Sequence, residues 1–291
     1  MPEDTEYIAP NFVARLQNQK IIDKDVKGNK WLWEGRSGDY RYDGFGNPNY
    51  FFRGTKDRNP IISDSPELSA AEESYREILE QLINSSSSDR PVVALDIGGM
   101  AGITWCRLAN HFRKEVEAGK VVFVVTNVES NFEDQFAKNV DRDTLHEGDL
   151  ELFRKTKSEG LVKYITADVM SLRKTTIEIQ GKSIRLLGNV DLLNERTAVT
   201  AHSRIPEIHI PRMLETLSDK GIYVCWDNTI SLQFGDDYAE DRNIAFFDAI
   251  NYSMDYFKLE RISEIEEGIQ KGEEVKPIIL RKSGGPKIKA D

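Results

Sequence analysis

Residues 92–105 read VVALDIGGMAGITW, an apolar run ending in Asp96, with Gly98, Gly99 and Gly102 ahead of a helical pattern. Glycines this dense at the end of a strand allow the backbone to approach a ligand that any side chain would keep at a distance. The spacing is not the G-x-G-x-x-G of a dinucleotide site. It is not a P-loop either, because no Gly-Lys-Ser or Gly-Lys-Thr follows. Phosphate is therefore not the guest that this loop indicates.

The elements that must carry the loop are legible around it. From Pro91 onward, strand-like segments at 92–97, 121–126, 161–166, 190–194 and 221–227 alternate with helix-like segments at 103–118, 131–157 (with a break), 206–218 and 243–256. Such alternation predicts an α/β fold, a mostly parallel sheet flanked by helices. Two last strands, 257–263 and 275–282, have no helix between them and predict a terminal antiparallel hairpin, completing seven strands. IEIQGKSIRLL, 177–187, reads as an extra hairpin before the fourth strand. Upstream, Leu68, Ala71, Tyr75, Leu79 and Leu82 recur at helical spacing over 65–83, with Ser65 as N-cap and Pro66 at the first helical position. The organisation expected is an aromatic-rich N-terminal extension or lid over 1–62, a helix and linker over 63–90, a ligand-binding domain over 91–283 and a flexible tail over 284–291.

With these elements in view, the chain resembles the class I, Rossmann-like S-adenosylmethionine-dependent methyltransferases over about residues 90–282. That family's first motif is an acid, a spacer and alternate glycines closing the first strand; Asp96, Gly98 and Gly102 match it, and Met100 stands where the middle glycine would be. The resemblance implies S-adenosylmethionine as cofactor. The loop of Gly98, Gly99, Met100 and Gly102 would face its methionine part, with Asp96 helping to hold the amino group. Asn127 or Glu129 in TNVES, after the second strand, would meet the ribose hydroxyls, Asp168 in TADVMSL the adenine amino group, and Asn194 would border the cofactor after the fourth strand.

Methyl transfer from a sulfonium asks mainly for placement of nucleophile, methyl and sulfur in line, where orientation contributes about 7–11 kcal/mol. A general base adds roughly 10² to 10⁴ where the nucleophile must lose a proton. His202, just past the fourth strand, is the base candidate, and Glu195 and Arg196 at the same strand end are candidates for orienting substrate. WDNTISL after the fifth strand resembles the metal-dependent catechol-type O-methyltransferases through Asp227 and Asn228. The further aspartate of that subgroup is missing from LLNERT, and two oxygen ligands do not make the near-octahedral set of a hard cation. No metal is therefore expected.

Composition narrows the partners. The 291 residues carry a formal net charge of -10 and no clustered Lys/Arg patch, which argues against nucleic acid. No apolar run is long enough to cross a bilayer, and the N-terminal MPEDTEY lacks the pattern of a secretion signal. A cytoplasmic protein is expected, acting on an oxygen or nitrogen of a small organic molecule or short peptide, with a homodimer allowed by the aromatic extension. Two other readings stay open: a methyltransferase-like binding protein without turnover, and a nicotinamide-dependent oxidoreductase.

Overall fold

A computed structural model describes residues 68, 70–86, 90–98, 102–127, 147–195, 206–226, 249–262 and 277–283. Its elements in chain order are α1 (Ala70–Ser85), β1 (Val92–Ile97), α2 (Ile103–His111), α3 (Arg113–Glu117), β2 (Val121–Asn127), α4 (Glu147–Ser158) and β3 (Val162–Thr166). There follow β4 (Thr176–Ile179), β5 (Lys182–Arg185), β6 (Val190–Glu195), α5 (Pro206–Leu214), β7 (Leu217–Trp226), α6 (249–257), β8 (Leu259–Arg261) and β9 (Pro277–Lys282). The expected extension over 1–62 and tail over 284–291 lie outside the described residues, as do Ser65, Pro66 and the stretches 131–146 and 243–248 of two expected helices.

Seven strands form one sheet in the order β3-β2-β1-β6-β7-β9-β8, and β4 and β5 form a separate antiparallel pair. The central ladders are parallel; β9 runs antiparallel to both β7 and β8. The terminal hairpin thus folds back, with β9 inserted beside β7 and β8 left at the edge.

Alternation along the buried strands divides the core into two layers. Val92, Ala94, Phe123, Val125 and Leu192 face α1, α2 and α4 through Tyr75, Leu79, Trp105 and Phe153. Val93, Leu95, Val124, Leu193 and Tyr223 face the β4–β5 hairpin, α5 and α6. Trp105 ties the first layer to the centre of the sheet, its indole Nε1 donating to the Ala94 carbonyl at 2.9 Å.

Three expected boundaries shift. The helix expected over 103–118 divides at Phe112, which turns inward to lie 6.4 Å from Phe123, and its second piece ends at Glu117, followed by a turn at Gly119. There the Lys120 amide reaches back to Glu115 and a φ of +68° satisfies the last carbonyls as in a Schellman cap. The helix expected over 206–218 stops at Leu214, and the strand expected from 221 already begins at Leu217. Sheet bonding captures the difference: the Val190 amide donates to Thr216 O at 2.8 Å, and Ser218 Oγ donates to Asp191 Oδ1 at 2.7 Å. Leu217 remains in the apolar layer to which its helical spacing assigned it, but from a strand. The strand expected over 257–263 shortens to Leu259–Arg261, because the helix before it runs on through Phe257 and Lys258 turns the chain at φ +55°.

Candidate functional site

The chain leaves β1 to build β2 and β3 on one side and returns to build β6 and β7 on the other, so the order reverses between β1 and β6. In open α/β sheets the crevice beyond the carboxyl ends of the strands at such a reversal is where ligands bind. Asp96 and Asn194 are register partners across that point. Asn194 Nδ2 donates to Asp96 Oδ1 at 2.8 Å, and the Tyr75 hydroxyl of α1 donates to Asn194 Oδ1 at 2.8 Å. All three side chains are buried, Asp96 keeping 6% of its surface exposed. Burial is the larger influence on Asp96 and pushes its carboxyl up to about 7; the Asn194 hydrogen bond opposes this and the nearby Glu195 adds to it.

Beyond β1 the two described glycines have different duties. Gly98 extends the ladder by one bond, its amide donating to Thr126 O at 2.8 Å, and then turns with φ +68°. Gly102 opens α2 with φ +59°, and a Cβ built there would overlap Val125 Cγ2 of β2. Its lack of a side chain is therefore required by helix–sheet packing, and Gly98 is the one whose left-handed turn borders the crevice. Gly99 and Met100 lie outside the described residues.

The other expected residues spread around this edge. Asn127 ends β2, buried, and its carbonyl accepts from the Ala167 amide at 2.9 Å. Glu129 lies outside the described residues. Asp168 is half-buried after β3; its Oδ1 accepts from the Ser171 amide at 2.7 Å, closing the turn that leads into the short 3-10 helix at Leu172–Lys174. Glu195 is fully buried at the end of β6, in register with Ile97 and Cys225, which both belong to the α5 and α6 side. The two neighbours Asn194 and Glu195 thus occupy opposite faces of the sheet, and Asp96 shares the face of Asn194. Arg196, His202, Asp227 and Asn228 lie outside the described residues.

Three features escaped the sequence. Tyr75 reads there only as a member of an apolar stripe, and nothing local marks a hydroxyl that meets a residue 119 positions away. His209 of α5 is 1% exposed, and burial pushes its imidazole down to about 4, so that it is neutral near pH 7. Cys106, whose Sγ lies 3.2 Å from the Tyr164 hydroxyl, is pushed by burial up to about 11 and stays a thiol.

Seven strands in this order, with only the penultimate position antiparallel, make the fold that of the class I S-adenosylmethionine-dependent methyltransferases. No family model matches the chain, and no curated protein matches it. Among solved structures it is similar to the CMeT domain of the citrinin polyketide synthase, at 13% identity and a TM-score of 0.44 over 74% of this chain and 52% of that one. It is also similar to the plantazolicin methyltransferase BpumL in complex with a triazolic desmethylPZN analog and SAH, at 10% identity and a TM-score of 0.40 over 93% and 99%. A third is the [4+2]-cyclase SpnF, at 12% identity and a TM-score of 0.38 over 83% and 95%. The chain spans about half the length of the first of these. The fold assignment rests on strand order rather than on these likenesses. No helix among the described residues is long and apolar enough to cross a membrane.

Proposed function

We propose that the chain is an S-adenosylmethionine-dependent methyltransferase that modifies an oxygen or nitrogen of a small organic molecule or short peptide. The observation that carries this reading is the pairing of Asp96 with Asn194 at the reversal of strand order, followed by the left-handed turn of Gly98. A carboxyl held at the crevice suits the ammonium of an amino-acid cofactor, and a turn without a Cβ lets that group lie against the backbone. Bound there, the cofactor would supply a methyl on a sulfonium leaving group. The chain's own part is to hold and orient: Asp96 for the amino group, Asn127 or Glu129 for the ribose, Asp168 through its second oxygen for the base. His202 is the proposed proton acceptor, with Arg196 orienting the substrate. Glu195, being fully buried, is assigned to substrate only if the strand end opens.

A second reading, cofactor binding without turnover, is favoured by that burial of Glu195 and by the use of one Asp168 oxygen within its own turn. Calorimetric titration with S-adenosylhomocysteine, with NADH in parallel, separates these readings from an oxidoreductase. Micromolar binding of the first alone, followed by methyl transfer from labelled cofactor to a panel of small acceptors, supports the proposal. Binding of NADH alone overturns it. Binding of S-adenosylhomocysteine with no transfer to any acceptor leaves the second reading in its place.

A further inference from the structure

We propose that Tyr75 is a positioning residue for the site: by donating to Asn194 Oδ1 it holds the amide with Nδ2 facing Asp96, which favours the charged form of that carboxyl for a cationic ligand group. The ligand half of this statement rests on the cofactor reading above; the charge-setting half does not.

The structure places the Asn194 amide in one of its two orientations. A primary amide has an acceptor end and a donor end, and Asn194 sits between two partners, each 2.8 Å away. With Tyr75 donating to Oδ1, the donor end meets Asp96, and a donor facing a carboxylate stabilises its charge. Turned over, the amide would present Oδ1 to Asp96, which must then be protonated to donate. The chain of three groups therefore has two polarities, one for each charge of Asp96. The tyrosine hydroxyl could also accept from Nδ2; donating to Oδ1, as it does in this structure, it holds the polarity in which Asp96 is charged.

That anchor is fixed rather than adaptable. Tyr75 is fully buried, and its ring packs edge-on against Trp105 at 5.6 Å, so the hydroxyl is held at the amide by the packing of α1 on the sheet. Among the described residues, the titratable groups around Asp96 are Glu195 from β6, which raises its carboxyl, and Tyr164 from β3 with Cys106 of α2 beside it. Neither tyrosine nor cysteine carries positive charge, so the amide donor is the counterweight to burial. Asp96 lies at about 7, where a modest change in that donor moves the balance between its two forms.

The test follows the Asp96 carboxyl carbon by NMR from pH 5 to 9 in the ligand-free protein, assigned with Asp96→Asn. Wild type is compared with Tyr75→Phe, which keeps the ring and removes the hydroxyl. The expected result is a midpoint higher by about one unit in Tyr75→Phe, a tenfold change in proton affinity. S-adenosylhomocysteine affinity, measured over the same range, should rise with pH in both proteins, with the variant's curve displaced upward in pH by the same amount. Should Tyr75→Phe fail to fold, Asn194→Ala removes the amide donor that the hydroxyl positions and should shift the midpoint in the same direction; an unmoved midpoint there also overturns the proposal. An unmoved midpoint in the folded variant overturns the role of Tyr75, whether or not the ligand binds. A moved midpoint with no ligand binding at any pH retains the charge-setting role and overturns both the ligand half and the cofactor reading.

Discussion

At the scale of single residues, the glycine loop divides into a packing position, Gly102, and a proposed ligand position, Gly98, and the two should fail differently on mutation. Gly102→Ala brings a Cβ onto Val125 at a left-handed φ, so it should cost about 1–3 kcal/mol through overpacking and strain. Val125→Ala in the same chain should recover part of that loss, because the two changes share one contact. Urea unfolding of the two single variants and the double variant checks this; strictly additive losses would show that the overlap is not the cause. Gly98→Ala should cost about 1–2 kcal/mol for its φ of +68° and should also weaken S-adenosylhomocysteine binding. Calorimetry on the folded variant reads the second effect, and unaltered affinity would remove Gly98 from the site. Asp168 combines a packing role with a proposed ligand role, since its bond to the Ser171 amide means that Asp168→Ala disturbs the turn as well as any ligand.

At the scale of elements, the face bearing Tyr75 is held by an ion-pair cluster linking three helices. Arg107 of α2 lies 2.6 Å from Asp149 of α4 and 3.3 Å from Glu72 of α1, and both carboxylates are buried. Removing one partner of a buried cluster leaves uncompensated charge behind, so Arg107→Met should destabilise the protein by about 3–5 kcal/mol. Adding Glu72→Gln and Asp149→Asn should restore much of it, although the arginine stays absent. Thermal unfolding decides: a double or triple variant no more stable than Arg107→Met would mean that the arginine acts by packing alone. A similar device joins the opposite ends of the central strands, where Asp191 of β6 accepts from Arg90 at 2.6 and 2.7 Å, from the Val93 amide at 2.9 Å and from Ser218 at 2.7 Å. This cluster holds β1, β6 and β7 together at the end remote from the crevice.

At the scale of the whole molecule, two buried groups give opposite dependences of stability on pH. Asp96 titrates at about 7 in the fold against 3.8 in the free side chain, so its cost is absent below the lower value and grows as pH rises to the upper one. His209 titrates at about 4 against 6.5, so its cost is absent above 6.5 and grows as pH falls. At about 1.4 kcal/mol per unit, each amounts to roughly 3–4 kcal/mol across its window, and between pH 4 and 6.5 the two slopes oppose. Asp96→Asn should therefore lose stability on acidification relative to wild type, and His209→Gln should gain it. Urea midpoints at pH 4.5, 6 and 7.5 check the pair, and parallel profiles for all three proteins would refute the linkage.

Much of this architecture was legible because it follows from local periodicity. Apolar runs such as VVALDI and VVFVVT, separated by helical stripes, mark buried parallel strands and their order in the chain, and the Asp-then-glycine pattern marks the strand that ends at the reversal of strand order. These signals lie within a few residues of one another, and the side chains themselves carry them. The sequence alone does not contain pairings between distant positions. Only the tertiary structure decided that Gly102 serves packing against Val125, that segment 217–220 joins the sheet instead of a helix, and that Asn194 and Glu195 turn to opposite faces. It alone brought Tyr75 to Asn194 and Asn194 to Asp96, because a hydrogen bond spanning 119 positions exists only once the helix and the sheet have packed. Periodicity determines which face of an element is buried; the partners that meet there, and the charge they impose on one another, are set by how those faces come together.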